Sequence, residues 1–299
     1  MAARREPRKP REQQRARRGD GPLPGRFAVA SGEAELLRDL NRPGGWVLSV
    51  EGVMQSYVDL DDPTYLDFEY MQWMGDVVYC LAEPSRPLDI VHVGGGACTL
   101  PRYVAATRPG SRQLVLEPDR ALVDFVRERL ELRSVPRLRV RVTGGRAGVA
   151  TLGDDYADVL VIDAFDGATV PIELVTEEFT REAARALRPD GAWLLNIADG
   201  PGLRFARRVV ATALAVFPEV VVISDPGVLR GRRFGNLVVV GSASGLPTGP
   251  LVRRAAGRVP QVRCVYGDDV RRFTGGAPRL RDGDDIPVPE PPSSVITGK

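Results

Sequence analysis

Apolar and polar residues along most of the chain follow patterns that predict strands and helices in turn. Between residues 88 and 241, short apolar runs typical of buried strands alternate with stretches whose apolar residues recur every three or four positions. The predicted strands are residues 89–93, 113–116, 138–142, 158–162, 192–197, 219–223 and 236–241, and the predicted helices are residues 98–107, 119–131, 176–187 and 201–216. Such alternation predicts an α/β fold built on a doubly wound, mostly parallel sheet.

The segment before this region has a different pattern. Residues 46–50 and 52–59 read as short antiparallel strands joined in a hairpin, and residues 67–82 have the spacing of an amphipathic helix. We therefore expect a small N-terminal β cap in front of the sheet.

Changes in composition divide the chain into four parts. We expect a basic disordered tail over residues 1–24, the β cap and a linking helix over 25–75, a Rossmann-like catalytic domain over 76–245 and a Pro/Gly-rich extension over 246–299.

Composition excludes several classes of protein. With 299 residues, 43% hydrophobic and 27% charged, the chain is typical of a globular protein, and its apolar runs are far shorter than the roughly 18 residues of a membrane span. The basic N-terminus is not followed by an apolar stretch, so we expect a cytoplasmic protein and no membrane partner.

Three widely spaced cysteines and a single histidine, His92, predict neither a disulfide framework nor a metal site. His92 lies within an apolar strand, which predicts a buried core histidine.

Charge is distributed unevenly around a net value of +2. Residues 1–20 contain eight arginines and lysines against three acids, a local charge of +5. A basic arm of this kind is able to bind nucleic acid, but a solvated tail is the favoured interpretation because the segment lacks aromatic residues. We expect nucleic acid to bind through this tail or not at all.

Three consecutive glycines follow the first predicted strand of the sheet. Gly94, Gly95 and Gly96 lie between that strand and a helix, where glycine lets the backbone approach a ligand. Glu117 ends the next strand, 21 residues after Gly96, where a carboxylate accepts hydrogen bonds from a ribose. Together these features predict a nucleotide site and leave dinucleotides and S-adenosyl compounds open.

Two carboxylates follow a later buried strand. Asp163 and Asp166 lie just beyond its carboxyl end, at the edge of an α/β sheet where ligands bind. Such a pair is suited to hold a cationic amine and to take a proton from it. The alternative is structural, with Asp163 capping a loop and Asp166 starting a turn with Gly167.

Taken in order, the motifs resemble those of the spermidine synthase (polyamine aminopropyltransferase) family over residues 52–241. The motifs are Gln55-Ser56-Tyr57, Phe68-Glu69-Tyr70, Gly94-Gly95-Gly96 with Glu117, and Asp163-Ala164-Phe165-Asp166 with Pro171. The resemblance implies a fold like that of class I S-adenosylmethionine methyltransferases. It also implies transfer of an aminopropyl group from decarboxylated S-adenosylmethionine to a polyamine such as putrescine, with release of methylthioadenosine.

The resemblance also implies roles for individual residues. Asp163 would accept a proton and Tyr70 would lie beside it in the active site. The residues implied to bind substrate are Gln55, Asp166 and Pro171, and those implied to bind the S-adenosyl co-substrate are Gly94, Gly95, Gly96, Glu117, Gly144 and Gly145. The family further implies a homodimer and no metal.

The chain departs from the family pattern at several positions. Ala97, Gln72 and Gly145 stand where the family usually has acids, and Met71 stands where a polar residue is expected. Two alternatives therefore stay open, an S-adenosylmethionine-dependent methyltransferase and a non-catalytic nucleoside- or polyamine-binding homologue. An NAD-dependent dehydrogenase is disfavoured because the helix after the glycines lacks the third small residue.

Overall fold

The computed structural model describes residues 22–167 and 169–292, which form two β-sheets with helices packed around the larger one. The basic segment of residues 1–20 lies outside the described residues. Among the described residues, no helix has both the length and the apolar character needed to cross a membrane.

The N-terminal sheet has four antiparallel strands in sequential order. They are β1 (Gly25–Val29), β2 (Gly32–Arg38), β3 (Gly45–Val50) and β4 (Val53–Asp59). The predicted hairpin corresponds to β3 and β4, whereas β1 and β2 were not predicted. Leu36 and Leu48 are almost fully buried and belong to a core that includes Leu122 and Val126, so the cap is anchored on the main domain.

The larger sheet contains eight strands in the order β12-β10-β11-β9-β8-β5-β6-β7. They are β5 (Asp89–Val93), β6 (Arg112–Glu117), β7 (Leu138–Val142), β8 (Ala157–Ile162), β9 (Leu187–Asp199), β10 (Glu219–Ser224), β11 (Gly235–Ser242) and β12 (Arg263–Tyr266). The five strands β5 to β9 pair in parallel, and β10, β11 and β12 pair antiparallel at one edge. The predicted α/β architecture with a small β cap is confirmed.

Nine α-helices are described. They are α1 (Glu69–Cys80), α2 (Thr99–Thr107), α3 (Arg120–Arg129), α4 (Gly145–Ala150), α5 (Glu177–Ala186), α6 (Arg204–Val216), α7 (Pro226–Leu229), α8 (Thr248–Ala256) and α9 (Asp268–Thr274). The starts of two predicted helices have side-chain caps, since Asp119 accepts from the Leu122 amide and Thr176 from the Phe179 amide. The domain boundary expected between residues 75 and 76 falls inside α1.

The C-terminal extension takes part in the main domain. Strand β12 pairs with β10, and helix α8 packs on α1. The carboxylate of Asp76 on α1 is buried and accepts from Arg254 and Arg258, each at 2.7 Å. This ion cluster attaches the extension to the helix that carries Tyr70.

The order of the strands creates a crevice. From β5 the chain builds β6 and β7 on one side and then returns to place β8 on the other side of β5. Loops that leave the carboxyl ends of β5 and β8 therefore diverge, which is where α/β sheets bind ligands.

Candidate active site

A cavity of about 1110 Å³ lies at this crevice. Its walls come from the ends of β5, β6, β8, β9 and β11, from β4 of the cap and from the start of α1. Every predicted site residue lines it: Gln55, Tyr70, Gly94, Gly95, Gly96, Glu117, Gly144, Gly145, Asp163, Asp166 and Pro171. The cavity has two parts, which we call the glycine side (Gly94–Gly96, Glu117, Gly144, Gly145) and the aspartate side (Tyr70, Asp163, Asp166, Asn196, Asn236).

Steric constraints explain two of the loop glycines. Gly94 has a φ of +94°, and a Cβ at this position would lie 2.2 Å from the carbonyl oxygen of Asp163. Gly96 has a φ of +45°, and its Cβ would lie 2.4 Å from the Ser56 hydroxyl oxygen. The loop therefore passes in direct contact with β4 and with the end of β8, as only glycine allows.

Backbone amides hold Glu117 at the end of β6. Its carboxylate accepts from the Gly95 amide at 2.8 Å and from the Asp119 amide at 2.9 Å. Burial raises the pKa of Glu117, and these amides act in the opposite direction by favouring its ionised form. An acceptor is thus fixed beside the glycine loop, where the sequence predicts a ribose ligand.

The two remaining glycines of this side begin helix α4. A Cβ at Gly145 would lie 2.3 Å from a methyl group of Val93, whereas Gly144 has open space around its α-carbon. A side chain at position 145 is therefore excluded by packing against β5.

Asp163 is the centre of the aspartate side. One carboxylate oxygen accepts from the amide nitrogen of Asn196 at 2.9 Å, and the Tyr70 hydroxyl donates to the other at 3.5 Å. Burial raises the pKa of Asp163 to about 6, although both hydrogen bonds lower it. Burial and the neighbouring carboxylate raise the pKa of Tyr70 well above its ordinary value, so this hydroxyl stays protonated. Asp163 is therefore poised to exchange a proton near neutral pH.

Asn196 was not predicted as a site residue. Asn196 lies inside β9, is 1% exposed and donates to Asp163. Its amide oxygen accepts from Nδ2 of Asn236 on β11 at 3.1 Å. The available signal was an amide side chain within an apolar strand, close to its carboxyl end.

Asp166 and Gln55 connect the aspartate side to the cap. The Gln55 amide donates to the Gly167 carbonyl at 3.0 Å, which ties β4 to the loop after β8. Asp166 is exposed and pairs through its backbone with Thr169. Pro171 precedes a short 3-10 turn and lines the cavity.

His92 is buried as predicted. Its Nε2 lies 2.9 Å from the side-chain oxygen of Gln113, whose amide nitrogen donates to the Pro101 carbonyl. Because that oxygen only accepts, Nε2 carries the proton. Burial lowers the pKa of His92 to about 4, so the ring is neutral at physiological pH.

The cavity is strongly acidic. Its described lining contains nine carboxylates and one arginine: Glu51, Asp67, Glu69, Glu117, Asp119, Asp163, Asp166, Glu173, Asp225 and Arg233. Within the described residues, no cluster of His, Cys, Asp and Glu has an arrangement that would hold a metal ion. The excess of negative charge favours a cationic ligand.

Two of the departures from the family pattern, Gly145 and Gln72, have structural explanations, the first being its packing against β5. The Gln72 side chain faces away from the cavity, donating to the Leu66 carbonyl at 2.8 Å and accepting from Arg258 at 2.9 Å. Asp67 and Glu69 line the cavity, so acids are present near Tyr70 although not at the usual positions.

Comparisons with known proteins agree with this geometry. No family model matches the chain. The polyamine aminopropyltransferase of Neisseria meningitidis serogroup A is 25% identical over 223 residues, which cover 75% of this chain and 81% of that protein. A crystal structure of a probable spermidine synthase from Corynebacterium glutamicum is 32% identical, has a TM-score of 0.82 and covers 90% of this chain and 100% of that one.

A more distant structure supports the fold alone. A spermidine synthase in complex with the transition-state analogue AdoDATO is 17% identical, with a TM-score of 0.55, and covers 86% of this chain and 85% of that one. The architecture thus recurs in proteins with little sequence similarity to this chain.

Proposed function

The chain belongs to the spermidine synthase family, and we propose that it transfers an aminopropyl group from decarboxylated S-adenosylmethionine to a polyamine such as putrescine. The observation that carries the proposal is the Asp163 carboxylate, held by Tyr70 and Asn196 in an acidic cavity beside the glycine loop.

The glycine side is suited to bind the nucleoside part of the donor. Glu117 has a carboxylate fixed by two backbone amides, and it would accept hydrogen bonds from the ribose hydroxyls. Gly144 leaves open space at the start of α4, where an adenine ring would lie against the backbone. Gly94, Gly95 and Gly96 allow the donor to approach the ends of β5 and β8.

The aspartate side is suited to bind the acceptor. A polyamine is cationic, and Asp163 and Asp166 would hold its ammonium groups through charge-assisted hydrogen bonds. Gln55 and Pro171 would line the path between the two substrates, and Tyr70 would orient the Asp163 carboxylate.

The reaction requires a neutral amine. In the proposed step, Asp163 takes one proton from the acceptor ammonium, and the freed lone pair attacks the methylene carbon bonded to the sulfonium. The carbon–sulfur bond breaks, its electrons stay on sulfur, and methylthioadenosine leaves. Because the sulfonium is already a good leaving group, alignment and deprotonation are what the protein must supply.

Glu69 and Asp67 line the cavity near Tyr70, and both are exposed. Asp67 accepts from the Tyr65 hydroxyl at 2.9 Å. We propose that this pair attracts the aminopropyl ammonium of the donor in place of acids at positions 72 and 97.

Product analysis tests the proposed function directly. The purified protein is incubated with decarboxylated S-adenosylmethionine and a panel of di- and polyamines, and the products are identified by mass spectrometry. We expect methylthioadenosine and an amine that is one aminopropyl group heavier. S-adenosylhomocysteine and a methylated product, formed instead from S-adenosylmethionine, would establish the methyltransferase alternative.

An Asp163→Asn variant tests the proposed base. We expect turnover to fall by about 10³-fold, in the range typical of a lost general base, while donor binding is retained. Asp190→Asn is the matched control, because Asp190 is an exposed carboxylate on β9 outside the cavity. Undiminished turnover in Asp163→Asn would refute the assignment of the base.

We further propose that the protein is cytoplasmic and, as the family resemblance implies, a homodimer. Light scattering of the purified protein would give twice the 32.5 kDa of one chain. Nucleic-acid binding, if any, is assigned to residues 1–20, and it should disappear when they are deleted while turnover is unchanged.

A further inference from the structure

Two asparagines on neighbouring strands form a chain of hydrogen bonds that ends at Asp163. Asn236 donates from Nδ2 to Oδ1 of Asn196 at 3.1 Å, and Asn196 donates from its own Nδ2 to Asp163 at 2.9 Å. Strands β11 and β9 are antiparallel, and Asn236 lies two pairs along the ladder from Asn196, so both side chains emerge on the same face.

We propose that Asn236 is a positioning residue, which fixes the side-chain amide of Asn196 so that its NH₂ group faces Asp163. The inference deepens the proposed function, because it rests on Asp163 being the base. Asn236 is assigned no direct contact with the reacting atoms.

The two ends of an asparagine side-chain amide differ in their hydrogen bonding. An asparagine has a donor NH₂ and an acceptor oxygen, and a rotation of 180° about its terminal bond exchanges them. In the rotated state, Asn196 would direct its oxygen at the Asp163 carboxylate and its NH₂ at the NH₂ of Asn236. Both contacts would be repulsive, so the donor on Asn236 selects the orientation that serves Asp163.

The position of Asn236 is itself well supported. Its backbone belongs to the ladder between β11 and β9, and the Ser224 hydroxyl donates to its carbonyl oxygen at 2.6 Å. Asn196 is 1% exposed, so bulk water has little access to replace its partner. The backbone of Asn236 and the enclosed side chain of Asn196 are therefore held by the sheet.

The NH₂ group of Asn196 favours the ionised form of Asp163, against the effect of burial. The Tyr70 hydroxyl is the titratable group that contacts Asp163 directly. Charged groups elsewhere in the same cavity are Glu51, Asp67, Glu69, Glu117, Asp119, Asp166, Glu173, Asp225 and Arg233. Losing the oriented donor would make Asp163 hold its proton to a higher pH.

The test replaces Asn236 with leucine, which has a similar volume and no hydrogen-bonding group. The Asp163 pKa is measured in the full-length protein by ¹³C NMR of labelled aspartate carboxyls, with the Asp163→Asn spectrum as the assignment. We expect the pKa in Asn236→Leu to lie about one unit above the wild-type value. Ser242→Ala is the control, because it removes another side-chain hydrogen bond from β11 at the end far from the cavity.

The pH profile of kcat/KM gives a second readout. Since the base must be ionised, the acid limb of Asn236→Leu should move up with the pKa, and activity below that limb should fall about tenfold. Above pH 8 the activity should return to within a few-fold of wild type. An equal loss at every pH with an unchanged Asp163 pKa would indicate a merely structural role and overturn the proposal.

The proposal and the proposed function fail in different ways. If wild-type protein forms no aminopropylated product while the Asp163 pKa still rises in Asn236→Leu, the function is wrong and the positioning role stands. If transfer occurs and the pKa is the same in both proteins, Asn236 is not a positioning residue. Should the leucine variant fail to fold, Asn236→Ala is measured in the same way.

Discussion

The glycine side and the aspartate side of the cavity hold their functional groups in position by different means. The glycine side relies on the absence of side chains, so that backbone amides such as that of Gly95 hold Glu117. The aspartate side relies on side-chain hydrogen bonds: Tyr70 on α1 and Asn196 on β9 donate to Asp163, and Asn236 on β11 donates to Asn196.

This difference predicts how each side tolerates change. A backbone-built site has no spare volume, so an added methyl group has large effects. In a site built from side-chain hydrogen bonds, a substitution removes one hydrogen bond at a time, so its effect on activity or stability is smaller.

The largest effect is expected for Gly94→Ala. Its new Cβ would lie 2.2 Å from the Asp163 carbonyl oxygen at a φ of +94°, so either the loop or the end of β8 must move. We expect a loss of more than 10³-fold in kcat/KM and about 2 kcal/mol in the free energy of unfolding. Enzyme assays and urea titration measure the two effects. Gly153→Ala is the control, because no atom lies within 4 Å of its added Cβ; equal behaviour of the two variants would contradict the steric argument.

A smaller effect is expected for Glu117→Gln. The substitution removes a charge and directs an NH₂ group at one of the two backbone amides that now donate to the carboxylate. Hydrogen bonds to charged groups contribute about 1.5–3 kcal/mol, so the KM for the donor should rise roughly 10- to 100-fold.

The acceptor provides the contrast for this variant. Its KM should stay near the wild-type value, since Glu117 lies on the glycine side, and the exposed Glu128→Gln variant should leave both constants unchanged. A rise confined to the acceptor KM would show that the two sides are wrongly divided.

The same difference explains what could be predicted from the sequence. The glycine side is local, since Gly94–Gly96 and Glu117 follow consecutive strands whose apolar runs are easy to recognise. The partners of Asp163 come from α1, β9 and β11, and only the strand order brings them together. Asn196 and Asn236 each look unremarkable within their own segments, so sequence patterns gave no reason to pair them.

The strands likewise differ in how well the sequence predicts them. Strands β5, β6 and β8 are largely buried apolar runs, whereas β7 alternates apolar residues with exposed arginines, and the predicted bounds of all four lie within one or two residues of those observed. Strand β1 lies at the edge of the cap, with β2 beside it, and both have mainly exposed residues. Strand β12 has only four residues, so the patterns of all three strands are weak. Tertiary packing, rather than local pattern, determines these strands.

The free energy of unfolding should depend on pH because Asp163 is buried. Burial raises the pKa of Asp163 from an ordinary 3.8 to about 6, so the unfolded state ionises more readily and the folded state loses stability as pH rises through this window. We expect Asp163→Asn to be more stable than wild type by about 2 kcal/mol at pH 8, with the gap closing towards pH 4. Urea titration across this range tests it. A gap that is the same at both pH values, or that also appears in Asp190→Asn, would contradict the linkage.

The smallest effect is expected where the cap meets the aspartate side. The Gln55 amide donates to the Gly167 carbonyl at 3.0 Å, a neutral hydrogen bond in an exposed position. Such a bond contributes about 1 kcal/mol, so Gln55→Ala should raise the acceptor KM roughly fivefold. The free energy of unfolding should change by less than about 0.5 kcal/mol, because the cap is held by its buried core. Steady-state kinetics measure the first quantity, and Leu37→Ala serves as the control, because Leu37 is an exposed residue of the cap outside the cavity. A loss as large as that of Gly94→Ala would mean that Gln55 belongs to a constrained site like the glycine side, and that the loop after β8 requires the cap to keep its shape.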